Sequence, residues 1–109
     1  MLYKIQKNTH YTIISCSNII GAAEIRIDKD DECYINRIFL LPEYQNKGIG
    51  TQIMNFFEVT YSNIKKWTLC TPNKNYKSQF FYEKLGYRKV GEHKVTELLS
   101  LISYLKEIR

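Results

Sequence analysis

A chain of 109 residues with 44% hydrophobic and 14% aromatic side chains is long enough for one packed domain over 1–109, and too short for two. The 25% charged residues, mixed among the apolar ones, exclude wholesale disorder. The whole net charge of +5 comes from residues 55–109, because residues 1–54 carry six basic and six acidic side chains. A one-sided basic field favours an anionic partner such as a phosphate-bearing ligand. Twelve lysines against four arginines, taken alone, describe a solvated surface. Apolar runs such as Ile38–Leu41 are far shorter than the roughly 20 residues a membrane span needs. Met1–Lys7 has no apolar core of a secretory leader. Cys16, Cys33 and Cys70 match no C-x-x-C spacing and suit free thiols in a reducing cytosol, so a cytoplasmic location is expected.

In chain order, residues 10–16 have the β-branched and aromatic content of a strand, and Ser17-Asn18 reads as a turn. Residues 19–28 alternate, with Ala23, Ile25 and Ile27 opposite Glu24, Arg26 and Asp28, which predicts a half-buried antiparallel strand. Lys29-Asp30-Asp31 is a second turn. Residues 32–41 form a third strand, with Cys33, Ile35, Phe39 and Leu41 on one side and Tyr34, Ile38 and Leu40 on the other. Apolar residues on both faces mark it as central, and Pro42 ends it. Residues 49–61 take helical period, with Ile49, Ile53, Phe56, Phe57 and Thr60 on one stripe. Residues 64–71 return to strand before Pro72. A second helix follows, with Asn75 as N-cap, Phe80, Phe81 and Leu85 inward and Gly86 as a left-handed stop. Residues 87–92 are a short strand. Residues 95–109 fit helical spacing (Leu98, Ile102, Leu105) and strand alternation (Leu99, Leu101, Ser103, Leu105) equally. The order predicts an α/β fold, with a mixed, mostly antiparallel sheet and two main helices.

The stretch Pro42-Glu43-Tyr44-Gln45-Asn46-Lys47-Gly48-Ile49-Gly50-Thr51 lies between a central strand and a helix. Its glycines let the backbone approach a ligand, and the helix N-terminus behind them attracts negative charge, with Lys47 alongside. It is neither a Walker A loop nor a complete dinucleotide fingerprint. The second stretch, Asn75-Tyr76-Lys77-Ser78-Gln79-Phe80-Phe81-Tyr82-Glu83-Lys84-Leu85-Gly86-Tyr87, resembles the Asn-x-x-Ala-x-x-Phe-Tyr-x-x-x-Gly-Phe signature of the GNAT superfamily of acetyl-CoA-dependent N-acetyltransferases. Gln45–Gly50 resembles that family's Gln/Arg-x-x-Gly-x-Gly/Ala motif, in the right order and separation. The resemblance covers residues 19–92.

The resemblance implies acetyl-CoA as co-substrate and an amine, on a small molecule or a protein, as acceptor. By it, Gln45, Asn46, Lys47, Gly48, Ile49, Gly50 and Thr51 hold the pyrophosphate, and Tyr82 protonates the departing thiolate. Ile38 and Leu40 serve through main-chain groups aimed at the pantetheine and the thioester oxygen. Asn75 caps its helix and reaches the pantetheine arm. The family's glutamate base falls on Tyr34 here; Glu32, two residues earlier, is the nearest carboxylate, which leaves the base open. Ser78 stands where alanine is usual. Members usually carry two helices between their first two strands, walling the acceptor site, and this chain has no room for them before Gln45. An acyl-CoA-binding module without catalysis is therefore the competing reading. A homodimer, joined through residues 98–108, is one way to replace the wall; a macromolecular acceptor is another. His10 and His93 are isolated, so no metal is expected. Nothing matches an RNA-recognition or zinc-finger pattern, which argues against nucleic acid.

Overall fold

A computed structural model describes residues 8–108; residues 1–7, read above for a leader, and Arg109 lie outside it. The elements are β1 (Asn8–Ser15), β2 (Asn18–Lys29), β3 (Glu32–Leu40), a 3-10 turn (Pro42–Tyr44), α1 (Ile49–Thr60), β4 (Lys66–Pro72), α2 (Tyr76–Lys84), β5 (Arg88–Lys94) and β6 (Ser100–Glu107). The strands form one sheet in the order β1-β2-β3-β4-β6-β5. Only β3–β4 is parallel; the other pairings are antiparallel. The α/β class with a mostly antiparallel sheet and two helices is as expected.

The β1–β2 turn comes one residue earlier than Ser17-Asn18. Cys16 and Ser17 hold φ of 50° and 70°, the paired left-handed conformation that matches the twist of a two-residue hairpin. In β3 the even alternation expected from the sequence fails. Glu24 pairs with Arg37 and Ile25 with Ile35, so Asn36 is an extra residue on β3. That bulge reverses the strand's parity. Cys33 and Ile35 are buried before it, Ile38 packs on the same core after it, and Phe39 turns out to 52% exposure.

Both helices contribute to one core cluster, so they cover the same face of the sheet. The cluster centres on Trp67, whose ring stacks on Phe57 (centroids 6.1 Å apart) and meets Tyr61 edge-on. In α1 the buried residues are Met54 and Phe57, while Phe56 and Thr60 are exposed. The stripe is thus rotated from the one expected. In α2 the inward residues are Phe81, Tyr82 and Leu85; Phe80 points out, 68% exposed, beneath the Lys84 ammonium. The i, i+1, i+4 set 81, 82, 85 fits one face of a helix, and Phe80 lies about 100° outside it.

Both ends of α2 are as expected. The Asn75 Oδ1 accepts from the Ser78 N–H (3.2 Å), and Gly86 at φ 102° lets the Tyr87 N–H reach back to the Tyr82 carbonyl (3.0 Å). Residues 100–107 resolve as a strand. Bonded by β4 on one side and β5 on the other, β6 buries Ile102 and Tyr104. Its edges are therefore used inside the sheet, which leaves only Leu98 and Leu99 of the expected dimer segment as exposed large apolar groups. The second face of the sheet has no helix over it among the described residues.

Candidate functional site

β3 and β4 pair over three positions only, Glu32↔Lys66, Cys33↔Trp67 and Tyr34↔Thr68. Beyond Tyr34 the strands part, and a fork opens towards the C-terminal end of β3. The Leu41 N–H bonds back to the Ile20 carbonyl (2.8 Å), and the Phe39 carbonyl faces Gly21, so both belong to the β2 side. Strand alternation then turns the main-chain groups of Ile38 and Leu40 into the fork. The Leu40 carbonyl accepts from the Gln45 Nε2 (2.9 Å), which ties the strand end to the following loop.

That loop closes the wide end of the fork. Asn46 and Gly48 hold φ of 61° and 81°, and Gly48 caps α1 with no side-chain partner. The first intrahelical bond is Gln52 N–H to the Gly48 carbonyl (3.1 Å), so the amides between them face outward uncapped. Gly48 needs its positive φ and has open space where a side chain would stand. Gly50 answers a different need: a Cβ there would meet the Phe81 ring of α2 at 3.0 Å. One glycine shapes the loop and the other lets the two helices touch. Asn46, Lys47 and Gly48 are exposed, while Ile49, Gly50 and Thr51 are half-buried.

Tyr82 stands on the helix-covered face. Its ring packs against Phe81 (5.1 Å), Tyr87 (5.8 Å) and Tyr104 (6.5 Å). Tyr104 pairs with Leu69, the first β4 residue past the last β3–β4 pair, so Tyr82 lies level with the start of the fork. Burial raises its pKa, which keeps the phenol protonated and able to donate at neutral pH. Its hydroxyl has no protein partner among the described residues, and it is not sealed from solvent.

Glu32 is not beside Tyr82. It starts β3, on the open face, with Lys66 Nζ at 3.8 Å. Tyr34 is the group at the fork on that face. The Arg26 guanidinium lies over its ring (4.8 Å), and the Cys70 thiol is beside its phenol. Its pKa is pushed up to about 12, first by burial and then by the hydrogen bond with Cys70, so it cannot serve as a base near neutral pH. Cys70 Sγ is 3.5 Å from Ser103 Oγ. Sequence reasoning missed this grouping because Tyr34, Cys70 and Ser103 come from three strands. Asn75 uses its side-chain oxygen as a helix cap. The described residues hold no group of three His, Cys, Asp or Glu side chains placed to bind a metal ion, and no helix long and apolar enough to cross a membrane.

Residues 6–89 match the family model for the acetyltransferase (GNAT) domain. The chain is 34% identical over 89 residues to the uncharacterized protein YxbD of Bacillus subtilis strain 168, covering 80% of this chain and 55% of that protein. It therefore spans little more than half the length of that relative. Among solved structures, a GNAT family acetyltransferase from Elizabethkingia anophelis with acetyl-CoA bound superposes with a TM-score of 0.83, at 21% identity, over 93% of this chain and 76% of its own. A Bacillus subtilis acetyltransferase in complex with CoA gives 0.82, at 14% identity, over 94% of this chain and 78% of its own. At these identities the superpositions speak for the fold, and the family model and the curated relative for descent. The chain belongs to the GNAT acetyltransferase family.

Proposed function

We propose that this chain transfers acetyl from acetyl-CoA directly to a primary amine. The observation that carries the reading is the β3–β4 fork, which runs from an uncapped helix N-terminus at one end to the protonated Tyr82 phenol at the other. The uncapped amides of residues 49–51 and the adjoining loop 46–48, with Gln45 bracing it and Lys47 beside it, suit a pyrophosphate. The Ile38 and Leu40 main chains suit a pantetheine arm. An N–H from Ile38 meets the oxygen that gains charge when the amine attacks the thioester carbon. As the C–S bond breaks, the Tyr82 O–H gives its proton to the thiolate. Glu32 takes the proton of the attacking amine through water, since its place below the fork, against Lys66, does not reach the nitrogen directly. Asn75, whose side-chain oxygen caps α2, keeps its amide nitrogen for the pantetheine arm in this reading.

The exposed free thiols of Cys16 and Cys70 fit a cytoplasmic setting. A two-fold pairing over the open face is the symmetric way to keep water from that side of the thioester; sedimentation at micromolar concentration tests it.

The test of the reaction is CoA thiol release against a panel of amines, wild type beside Tyr82→Phe. Loss of the hydroxyl alone should keep CoA affinity and lower kcat by roughly 10²–10⁴-fold. An unchanged kcat, where chemistry limits the rate, removes Tyr82 as the acid. CoA binding with no amine-dependent release under any condition would leave a binding module.

A further inference from the structure

The open face holds three carboxylates near the fork, and a cation has already claimed each. Glu32 faces Lys66 (3.8 Å), and Asp28 accepts from Arg26 Nε (2.7 Å). Glu24, its side chain 12% exposed, has Arg37 Nε at 3.5 Å from Oε1, while His10 Nε2 (3.7 Å) and Asn36 Nδ2 (3.4 Å) lie at Oε2. A cationic amine arriving here meets the Arg26 and Arg37 guanidinium groups, and each of these three carboxylates already faces a cation. Polyamines and other multiply charged acceptors are disfavoured by that arrangement.

Arg37 is the more exposed of the two guanidinium groups: its side chain is 71% exposed against 33% for Arg26, and its contact with Glu24 is at Nε. Among the described residues, no carboxylate other than Glu24 lies within 4 Å of the Arg37 nitrogens. The bulge at Asn36 matters here. It puts the Arg37 side chain on the open face with Glu24, immediately before Ile38, whose main chain turns into the fork. A planar pair of donors thus stands one residue from the group proposed to hold the thioester oxygen. Two parallel N–H bonds from a guanidinium terminus match a carboxylate better than any other common anion of that size.

We infer that the acceptor is a small amine bearing its own carboxylate close to the nitrogen, an amino acid, and that Arg37 binds that carboxylate. The inference rests on the acetyltransferase reading of the fork. Holding the carboxylate at Arg37 points the neighbouring amine at the fork and cancels the guanidinium charge that would repel it. Phe39, two residues further on the same face and 52% exposed, offers apolar surface to the acceptor's side chain.

The experiment compares L-leucine and L-phenylalanine with their amides as acceptors, with acetyl-CoA and the full chain, by CoA thiol release. An amino acid amide is the weaker base, so more of it is free amine at a given pH. Preference for the acid therefore cannot arise from protonation. The acids should exceed the amides in kcat/KM by roughly 10–100-fold, the span expected for one charge-assisted pair. Arg37→Gln should collapse that ratio towards one by raising KM for the acids, and Arg37→Lys, which keeps the charge without the planar fork, should restore part of it. Amides used as well as acids, or an unchanged ratio in Arg37→Gln, overturns the inference and leaves the acetyltransferase reading standing. A chain that neither binds CoA nor acetylates any of the four overturns both.

Discussion

Under α1 and α2 the sheet is held by size and shape: Trp67 against Phe57, Tyr82 against Tyr87 and Tyr104, with Ile25, Cys33 and Leu69 filled in around them. On the other face the contacts are mostly polar: the ion pairs of Arg26 with Asp28, Arg37 with Glu24 and Arg88 with Glu107, the Arg26 guanidinium over Tyr34, and Cys70 beside Ser103. Exposed ion pairs of this kind contribute about 0–1 kcal/mol each, whereas a buried aromatic removes far more surface from water. Stability therefore resides on one face. The other is left free to vary in charge and shape without unfolding the domain, which suits a surface that selects an acceptor. The fork belongs to both faces, with Tyr82 level with it on the packed side and Tyr34 at its start on the open side.

The sharpest way to break this division is Trp67→Ala. The side chain is 1% exposed and touches both Phe57 and Tyr61. Its removal should cost about 3–5 kcal/mol, against a total of roughly 5–15 kcal/mol for a domain. Urea denaturation should show the midpoint falling by about a fifth of its value or more, up to no cooperative transition at all. A loss below about 1 kcal/mol would mean that the packed face is not where the stability lies.

What was legible beforehand follows the same division. Asn75 and Gly86 were readable because caps depend on neighbours within three or four residues. The strand order of types was readable from alternation. The Asn36 bulge was not: nothing in Cys-Tyr-Ile-Asn-Arg-Ile-Phe says that β3 will carry one extra residue against β2, and that single insertion reversed Ile38 and Phe39. Phe80 is exposed where the sequence pattern expects it inward, and Tyr82 takes the place beside Phe81 and Leu85. The last segment was undecidable locally because its strand form depends on β4 and β5 on either side. Motif likeness pointed to the loop and to Tyr82. Arg37, whose partner Glu24 lies on another strand across the bulge, left no mark in spacing.

A graded loss should appear at high pH, and it originates mainly on the packed face. Burial pushes the Cys33 thiol from its ordinary 9.0 up to about 12. Burial, and then donation to Glu83, pushes Tyr104 up to about 12, and burial raises Tyr87 as well. In each case the fold favours the protonated form. Below pH 9 both states hold these protons and stability is flat. Between pH 9 and 12 the unfolded chain gives them up while the fold retains them, so stability falls. Urea midpoints at pH 8, 9.5 and 11 should decline in that order. Cys33→Ala should flatten the first step, since the thiol is the first of the three to ionise in the unfolded chain. An unchanged slope between pH 8 and 9.5 in that variant would show that Cys33 is not the group responsible.

The smallest effect on stability is expected from Phe39→Ser. Phe39 pairs with Ala22 on the open face and is 52% exposed, so little apolar surface returns to water when it is shortened. Surface changes of this kind stay within about 0.5 kcal/mol, and the urea midpoint should hardly move. The same variant tests what covers the face. If a second copy docks there, Phe39 lies in the interface, and its replacement should shift sedimentation at micromolar concentration from dimer towards a 13.0 kDa monomer while leaving the fold intact. A wild-type chain that already sediments as a monomer, with and without CoA, rejects the second copy and leaves the acceptor itself to close the fork. A dimer indifferent to Phe39→Ser would place the contact elsewhere, at the exposed Leu98 and Leu99 or along the outer edge of β1, and the open face would then belong to the acceptor alone.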